Sequence, residues 1–407
     1  MQKNIKINNL YLVLIIAFSL CIRIFNLFIF EGYDSKFIED SAGYFNIAIF
    51  AEENGILNWE NHRRPPFISF IVIPIIKIFS EDLSIIIIKF LMIFLSVFTC
   101  IALYFLSYEI TKNNKISFIV SLIYSIYPYS VFTSGRFLTE NLASLLICFI
   151  SIFLIKFINN PKFKFLIFAS FLMGLLSLTR SSYYYLPFFL IFIIIFVNVS
   201  KFKKILSVIL IFITFYLTIS PWIIKNYIQL NAFVPTTTRL GTGLWLTNND
   251  FTNKYIKMGG YAKTEKFHNE SNKATLLGPI EGSNYLKEKA LNEILNNKSE
   301  FIKVCFFRFL NFFNPKPNPY ADFKVKDMIM ILFFTPFLVI FFISLFRSKY
   351  NLEKFSLLII IVYALLSSMP FYGIPRFRLP VDSLIFLLSI IFIFENNNYK
   401  IFLKKLF

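Results

Sequence analysis

Eleven apolar runs, at about 10–30, 67–79, 84–108, 116–133, 139–157, 163–179, 183–199, 203–221, 327–346, 354–371 and 380–395, leave this chain little choice of fold. Charge-poor stretches recurring at this density exceed what a water-soluble core would need in 407 residues, 57% of them hydrophobic and 55 of them Phe. Such runs mark a polytopic membrane protein. A spanning barrel would show short alternating strands instead, so the spans are read as helices. The expected class is all-α, with about ten transmembrane helices, a short outer juxtamembrane helix and a small extracytoplasmic region. After Lys3 and Lys6 the first run is too long for a signal core and lacks a small-residue cleavage site, so it is expected to stay as an anchor.

The run at 67–79 is the exception. Its 13 residues include Pro74 and Lys77 and would span about 20 Å as a helix, against about 30 Å of hydrocarbon. Charge decides how to treat it. If it does not cross, one side of the membrane collects Lys3, Lys6, Lys112, Lys115, Lys156, Lys162, Lys164, Lys201, Lys203, Lys204, Arg347, Lys349, Lys354, Lys400, Lys404 and Lys405, beside only Glu109, Glu353 and Glu395. Positive residues favour the cytoplasmic side. The reading is therefore ten spans, both termini cytoplasmic, in a bacterial cytoplasmic membrane. Residues 67–79, apolar nearly all round, should form a short outer helix buried against others. The chain is expected to divide into an N-terminal membrane module (1–221) with its first outer loop at 31–83, an extracytoplasmic region (222–326) and C-terminal membrane helices (327–407). Within 222–326, Phe233–Asp250 reads as loop or strand, and 285–295 and 301–313 as helix.

On the outer side, Glu31–Pro66 inverts the charge of the chain. Glu31, Asp34, Glu39, Asp40, Glu52, Glu53 and Glu60 oppose Lys36, Arg63 and Arg64, in a protein of net charge +18. An isolated aspartate in such a loop is usually a solvated surface charge. Here a helix through Asp40-Ser-Ala-Gly-Tyr44 would align Asp40, Tyr44 and Ala48 on one face. A carboxylate beside a phenol at a membrane surface could take a proton from an acceptor hydroxyl. Glu140, in Arg136-Phe-Leu-Thr-Glu140, has two readings: a helix N-terminal acid capped by Thr139, or a second carboxylate facing the same cavity. Arg180, Arg376 and Arg378 also have two: interfacial snorkelling, or bidentate binding of a lipid-linked phosphate. Arg23, inside the first span, is left unassigned. His62 reads as structural, before a helix start marked by Pro65-Pro66.

Several chemistries are poorly supported. Two histidines make a His-rich zinc site unlikely to assemble, and Cys21, Cys100, Cys148 and Cys305 have no metal or redox spacing. No Walker loop, dinucleotide glycine pattern or nucleophile elbow is present.

The order Asp40-x-x-x-Tyr44-x-x-x-Ala48, Arg64-Pro-Pro, Leu138-Thr-Glu140, Leu178-Thr-Arg180, Pro221-Trp-x-x-Lys-Asn226 and Arg376-Phe-Arg-Leu-Pro380 resembles a family. It is similar to the bacterial branch of the protein O-mannosyltransferase and aminoarabinose transferase group, integral-membrane GT-C fold glycosyltransferases. Lys225 stands where that family usually has arginine, and Glu39-Asp40 leaves open which acid acts. The resemblance implies a polyprenyl-phosphate sugar donor and a first-loop catalytic aspartate, which falls on Asp40. The site so read has Asp40 and Glu140 as catalytic residues, with Tyr44, Arg64, Arg180, Arg376 and Arg378 binding substrate. No protein-held metal is assigned; if a divalent ion takes part, oxygen ligands point to Mg or Mn.

The expected function is inverting transfer of a sugar from a polyprenyl-phosphate donor to a hydroxyl of a glycan, lipid or protein acceptor. It would take place on the extracytoplasmic face of the bilayer, with no nucleic-acid partner. Two rivals stand. A lipid-linked oligosaccharide flippase would place charges near mid-bilayer on broken helices. A glycan polymerase or ligase using a lipid-diphosphate donor would favour outer-loop arginines over a first-loop aspartate.

Overall fold

The computed structural model describes residues 8–58, 62–371 and 373–395. Lys3, Lys6, Glu60, Lys400, Lys404 and Lys405, which enter the readings above, lie outside the described residues. Within them every regular element is helical. The first half comprises α1 (Asn9–Asn26), α2 (Glu39–Asn54), α3 (Phe67–Ile78), α4 (Glu81–Thr111), α5 (Asn114–Ser125), α6 (Pro128–Phe132), α7 (Thr139–Asn159), α8 (Phe163–Thr179) and α9 (Leu186–Phe196). The second comprises α10 (Lys201–Leu230), α11 (Leu240–Thr247), α12 (Asn253–Lys257), α13 (Glu265–Leu276), α14 (Pro279–Asn296), α15 (Lys298–Phe312), α16 (Val325–Arg347), α17 (Leu352–Ser368) and α18 (Pro375–Glu395).

Each of the ten runs counted as spans falls on helix. Six helical stretches, Asn9–Glu31, α4, α7, α10, α16 and α18, are long and apolar enough to cross a membrane by themselves. The run at 116–133 is divided between α5 and α6. Pro128 has no N–H to continue the helix, and it drives Tyr127 to an extended ψ of 113°. Helices α7 and α18 form the middle of the bundle and are buried along almost their whole length. The periphery shows the opposite pattern. Phe202, Ile205, Ile209, Ile213 and Leu217 make an exposed stripe down α10, an arrangement costly in water and matched to acyl chains. The protein is a multi-pass membrane protein.

The short α3 packs against α2, α4 and α8, with Ile68, Ser69 and Val72 buried. Ser69 Oγ donates to the Tyr44 carbonyl at 3.0 Å, so α3 braces the middle of α2.

In the polar region, Phe233–Asp250 is not a strand: it contains α11, laid against α14. Gly241 allows that contact, because a side-chain carbon there would stand 1.8 Å from the Ser283 carbonyl oxygen. Trp245, fully buried, anchors the turn. Packing thus overrides the strand-like local composition. Helix α10 runs through Pro221 to Leu230, so residue 221 lies inside a helix. Arg308 ties the region to the bundle. Buried on α15, it donates to the carbonyls of Gly259, Thr247 and Met369 and to Asn248 Oδ1, at 2.8–2.9 Å. Met369 directly follows α17, so this clamp ties α15 to the end of that helix.

Candidate active site

Four helix ends converge on one face of the bundle: the starts of α2, α7 and α18, and the end of α8. Asp40 occupies the first turn of α2, Glu140 the first turn of α7, Arg376 the first turn of α18, and Arg180 directly follows α8. The two carboxylates sit where helix dipoles favour negative charge. Arg376 sits where the dipole disfavours its cation, and both carboxylates compensate by binding it.

The contacts form one chain. Arg64 Nη2 donates to Asp40 Oδ1 at 2.9 Å, and Arg376 Nη1 donates to Asp40 Oδ2 at 2.6 Å. Arg376 Nε donates in turn to Glu140 Oε1. Arg180 Nη1 reaches the same Glu140 oxygen at 2.8 Å, and Thr139 Oγ1 at 3.2 Å. Tyr44 lies under Arg64, whose guanidinium carbon is 4.7 Å from the ring centroid. Three guanidiniums thus share two carboxylates, leaving one formal positive charge. The cluster opens at one end: the Glu140 side chain is 2% exposed, whereas those of Asp40 and Arg376 are each 34% exposed.

Charge sets the state of Asp40. Burial alone would raise its pKa, but the opposing charges and hydrogen bonds of Arg376 and Arg64 outweigh it and hold the carboxyl at about 2. Glu39, the neighbouring acid, is exposed and has a left-handed φ of 51°; the arginine network runs through Asp40. Burial raises the Tyr44 phenol above its usual value, so it stands as a neutral hydroxyl.

Arg64 is held from outside the cluster. The carbonyl of His62 accepts from Thr238 N at 2.9 Å, and His62 Nδ1 lies 3.2 Å from Asn226 Oδ1. Asn226 Nδ2 and Trp222 Nε1 each donate at 2.8 Å, to the carbonyls of Val234 and Thr236. Thus the Pro221–Asn226 motif anchors the segment that delivers Arg64. Thr139 is the first residue of α7 and not its cap, which is Leu138. Its hydroxyl joins Arg180 and Glu140.

Arg378 lies apart. Because 376–378 are helical, two residues turn the chain about 200°, and the arginines face opposite ways. Arg378 is fully buried and donates to Asp382 Oδ1 at 2.7 Å and to the carbonyls of Phe312 and Asn314. Tyr127 Oη donates to Asp382 Oδ2 at 2.8 Å. This group joins α18 to the α5–α6 break and the end of α15. Tyr127→Phe is expected to cost about 1.5–3 kcal/mol, as for a hydrogen bond to a charged acceptor, measured as a lower melting temperature in detergent.

The site does not suit a divalent ion. Among the described residues no group of three or more His, Cys, Asp or Glu could hold one. Asp40 and Glu140 are each committed to two guanidiniums, which would repel a cation.

Residues 63–224 match the family model for dolichyl-phosphate-mannose-protein mannosyltransferase. That range includes Arg64, Glu140 and Arg180. The archaeal oligosaccharyltransferase AglB from Archaeoglobus fulgidus, solved with an inhibitory peptide and a dolichol-phosphate, superposes with a TM-score of 0.60 at 12% identity. The match covers 98% of this chain and 52% of that one. The chain has the GT-C fold. A structure of the Archaeoglobus fulgidus oligosaccharyltransferase in complex with Zn and sulfate gives a TM-score of 0.59 at 14% identity, covering 95% of this chain and 49% of that one. The chain therefore spans about half the length of these oligosaccharyltransferases. ArnT from Cupriavidus metallidurans, bound to undecaprenyl phosphate, is a looser likeness: TM-score 0.45, 9% identity, 93% of this chain and 76% of that one. No curated protein sequence matches the chain. The resemblance to integral-membrane GT-C glycosyltransferases read from the sequence motifs is borne out by the family model and the fold.

Proposed function

We propose that this protein is a membrane glycosyltransferase that moves a sugar from a polyprenyl-phosphate donor to an acceptor hydroxyl, with inversion. The observation that carries this reading is the linked series Arg64–Asp40–Arg376–Glu140–Arg180, half-open at Asp40 and Arg376. It puts a carboxylate beside guanidiniums with one positive charge to spare, which suits a base working next to a phosphate leaving group. The match to a mannosyltransferase family model over 63–224 supports the same chemistry.

In the proposed reaction the donor phosphate competes with Asp40 and Glu140 for Arg376, with Arg180 close behind. Asp40, relieved of one guanidinium, accepts the acceptor's hydroxyl proton. The oxygen attacks the anomeric carbon, the bond from that carbon to the phosphate oxygen breaks, and the electron pair leaves with the polyprenyl phosphate. Arg376 meets the charge that grows there. Arg64 and Tyr44 keep Asp40 aimed, and Glu140 sets Arg376 and Arg180. The site is assigned to the extracytoplasmic face of a bacterial cytoplasmic membrane, both termini inside, on the strength of the lysine asymmetry. Residues 31–83 serve as the catalytic first loop of a 1–221 module, with 222–326 the extracytoplasmic region and 327–407 the closing helices.

The test is release of label from a panel of radiolabelled polyprenyl-phosphate monosaccharides by membranes carrying the protein. Transfer from at least one carrier is expected. Release only from a lipid-diphosphate oligosaccharide would move the protein to the polymerase or ligase class. Carrier crossing the membrane with its sugar intact would make it a transporter.

A further inference from the structure

Gly43 has no backbone reason to be glycine. It lies inside α2, and its φ is not positive. Glycine in a helix interior weakens the helix. What occupies the space above it is Arg64. A methyl carbon on Gly43 would stand 2.7 Å from Arg64 Nη2, 2.9 Å from Cζ and 3.0 Å from Nε. The guanidinium therefore lies across the bare α-carbon. From that position it reaches Asp40 Oδ1 on one side and covers the Tyr44 ring on the other. Two of these groups are fixed from behind: Tyr44 is buried against Phe137 and Ser69 holds its carbonyl, while Arg64 follows His62, which is bonded to Thr238, and precedes the buried Pro65 and Pro66. Arg64 cannot simply rise to make room for a side chain and keep both contacts.

We propose that Gly43 is a positioning residue for the acid at the centre of the site. It sets the height of Arg64 over α2, and Arg64 in turn fixes the carboxylate plane of Asp40, so that Oδ1 is occupied and Oδ2 faces Arg376. This rests on the proposed role of Asp40 and extends it to a residue that contributes no functional group.

The experiment compares wild type, Gly43→Ala, Arg64→Ala and the double variant, using whichever polyprenyl-phosphate sugar of the panel is turned over. Gly43→Ala is expected to lower kcat between about tenfold and a hundredfold, the scale of a small misplacement of a reacting group. Its melting temperature in detergent should not fall, since alanine favours the helix. In the Arg64→Ala background the same alanine should cost less than about twofold, because the group it displaces is gone. An equal loss in both backgrounds, or wild-type kcat in Gly43→Ala, overturns the proposal. Should Gly43→Ala fail to fold, Arg64→Lys is added, which removes the planar fork; restored folding is expected, and continued failure places the fault elsewhere. The structure of Gly43→Ala judges the geometry without any turnover. Arg64 displaced from Asp40 is expected, and Arg64 unmoved overturns the idea. If Asp40→Asn turned over normally, the role of Asp40 would fall, yet the displacement of Arg64 would still decide the question for Gly43.

Discussion

Asp40→Asn is expected to lower kcat by about 10²- to 10⁴-fold, the range for loss of a positioned general base, with donor KM unchanged or lower. The amide keeps the size of the side chain but cannot take up the acceptor's proton. It also turns an NH₂ toward one of the two guanidiniums that now bind Asp40 Oδ1 and Oδ2. Loss of the negative charge leaves the cluster more positive, which favours the donor phosphate. A residue that merely held substrate would raise KM instead. Wild-type kcat in an inserted, normally melting variant would remove Asp40 from the mechanism.

The same carboxyl predicts an asymmetry with pH. At rest its pKa is depressed to about 2 by Arg376 and Arg64 against the opposing effect of burial. A depressed carboxyl adds stability above its unfolded value, about 3.9, and that stability is lost as pH falls through about 2. For catalysis the depression makes the resting group a weak base. Donor binding, by drawing Arg376 toward phosphate, returns it toward the ordinary carboxylate range. Since kcat reports the bound complex and kcat/KM the free enzyme, kcat should begin to fall below about pH 5 while kcat/KM stays flat there. Coincident acid limbs would show that the guanidinium does not leave Asp40.

Much of this was legible in the chain because membrane physics writes large signals. Each apolar run falls on helix, six of the helical stretches are long and apolar enough to cross a membrane by themselves, and the short run at 67–79 is α3, packed against α2, α4 and α8. Asp40 stood out by local charge inversion, and the structure links it to Glu140 through Arg376 although 100 residues separate the two acids. Other features lay beyond local pattern. Arg376 and Arg378 look equivalent in sequence, flanking Phe377; helical geometry separates them, and Asp382, one turn on, is the partner of Arg378. Gly43 carried no signal, because its role is an empty volume defined by a side chain from a distant segment. Strand-like composition in 233–250 gave way to α11, whose helicity depends on its contact with α14.

Arg376→Ala should cost about 10²- to 10³-fold in kcat, as when a preorganised group that meets developing charge is removed, and should raise donor KM as well. The phosphate gains charge as the glycosidic bond breaks, and Arg376 is the half-exposed cation already poised between both carboxylates. Lysine should not rescue it. A single ammonium on a flexible stem cannot reproduce Nη1 on Asp40 and Nε on Glu140 in one plane. The neighbouring arginine supplies the control. Arg378 is buried with Asp382 and contacts no member of the cluster, so Arg378→Ala strands a buried carboxylate. Its expected cost is about 3–5 kcal/mol of stability, read as lost folded protein, with the surviving fraction turning over normally. Two arginines one residue apart would then fail in different ways, one in chemistry and one in folding. A kcat loss under about tenfold in Arg376→Ala would shift the phosphate to Arg180, the other guanidinium on Glu140.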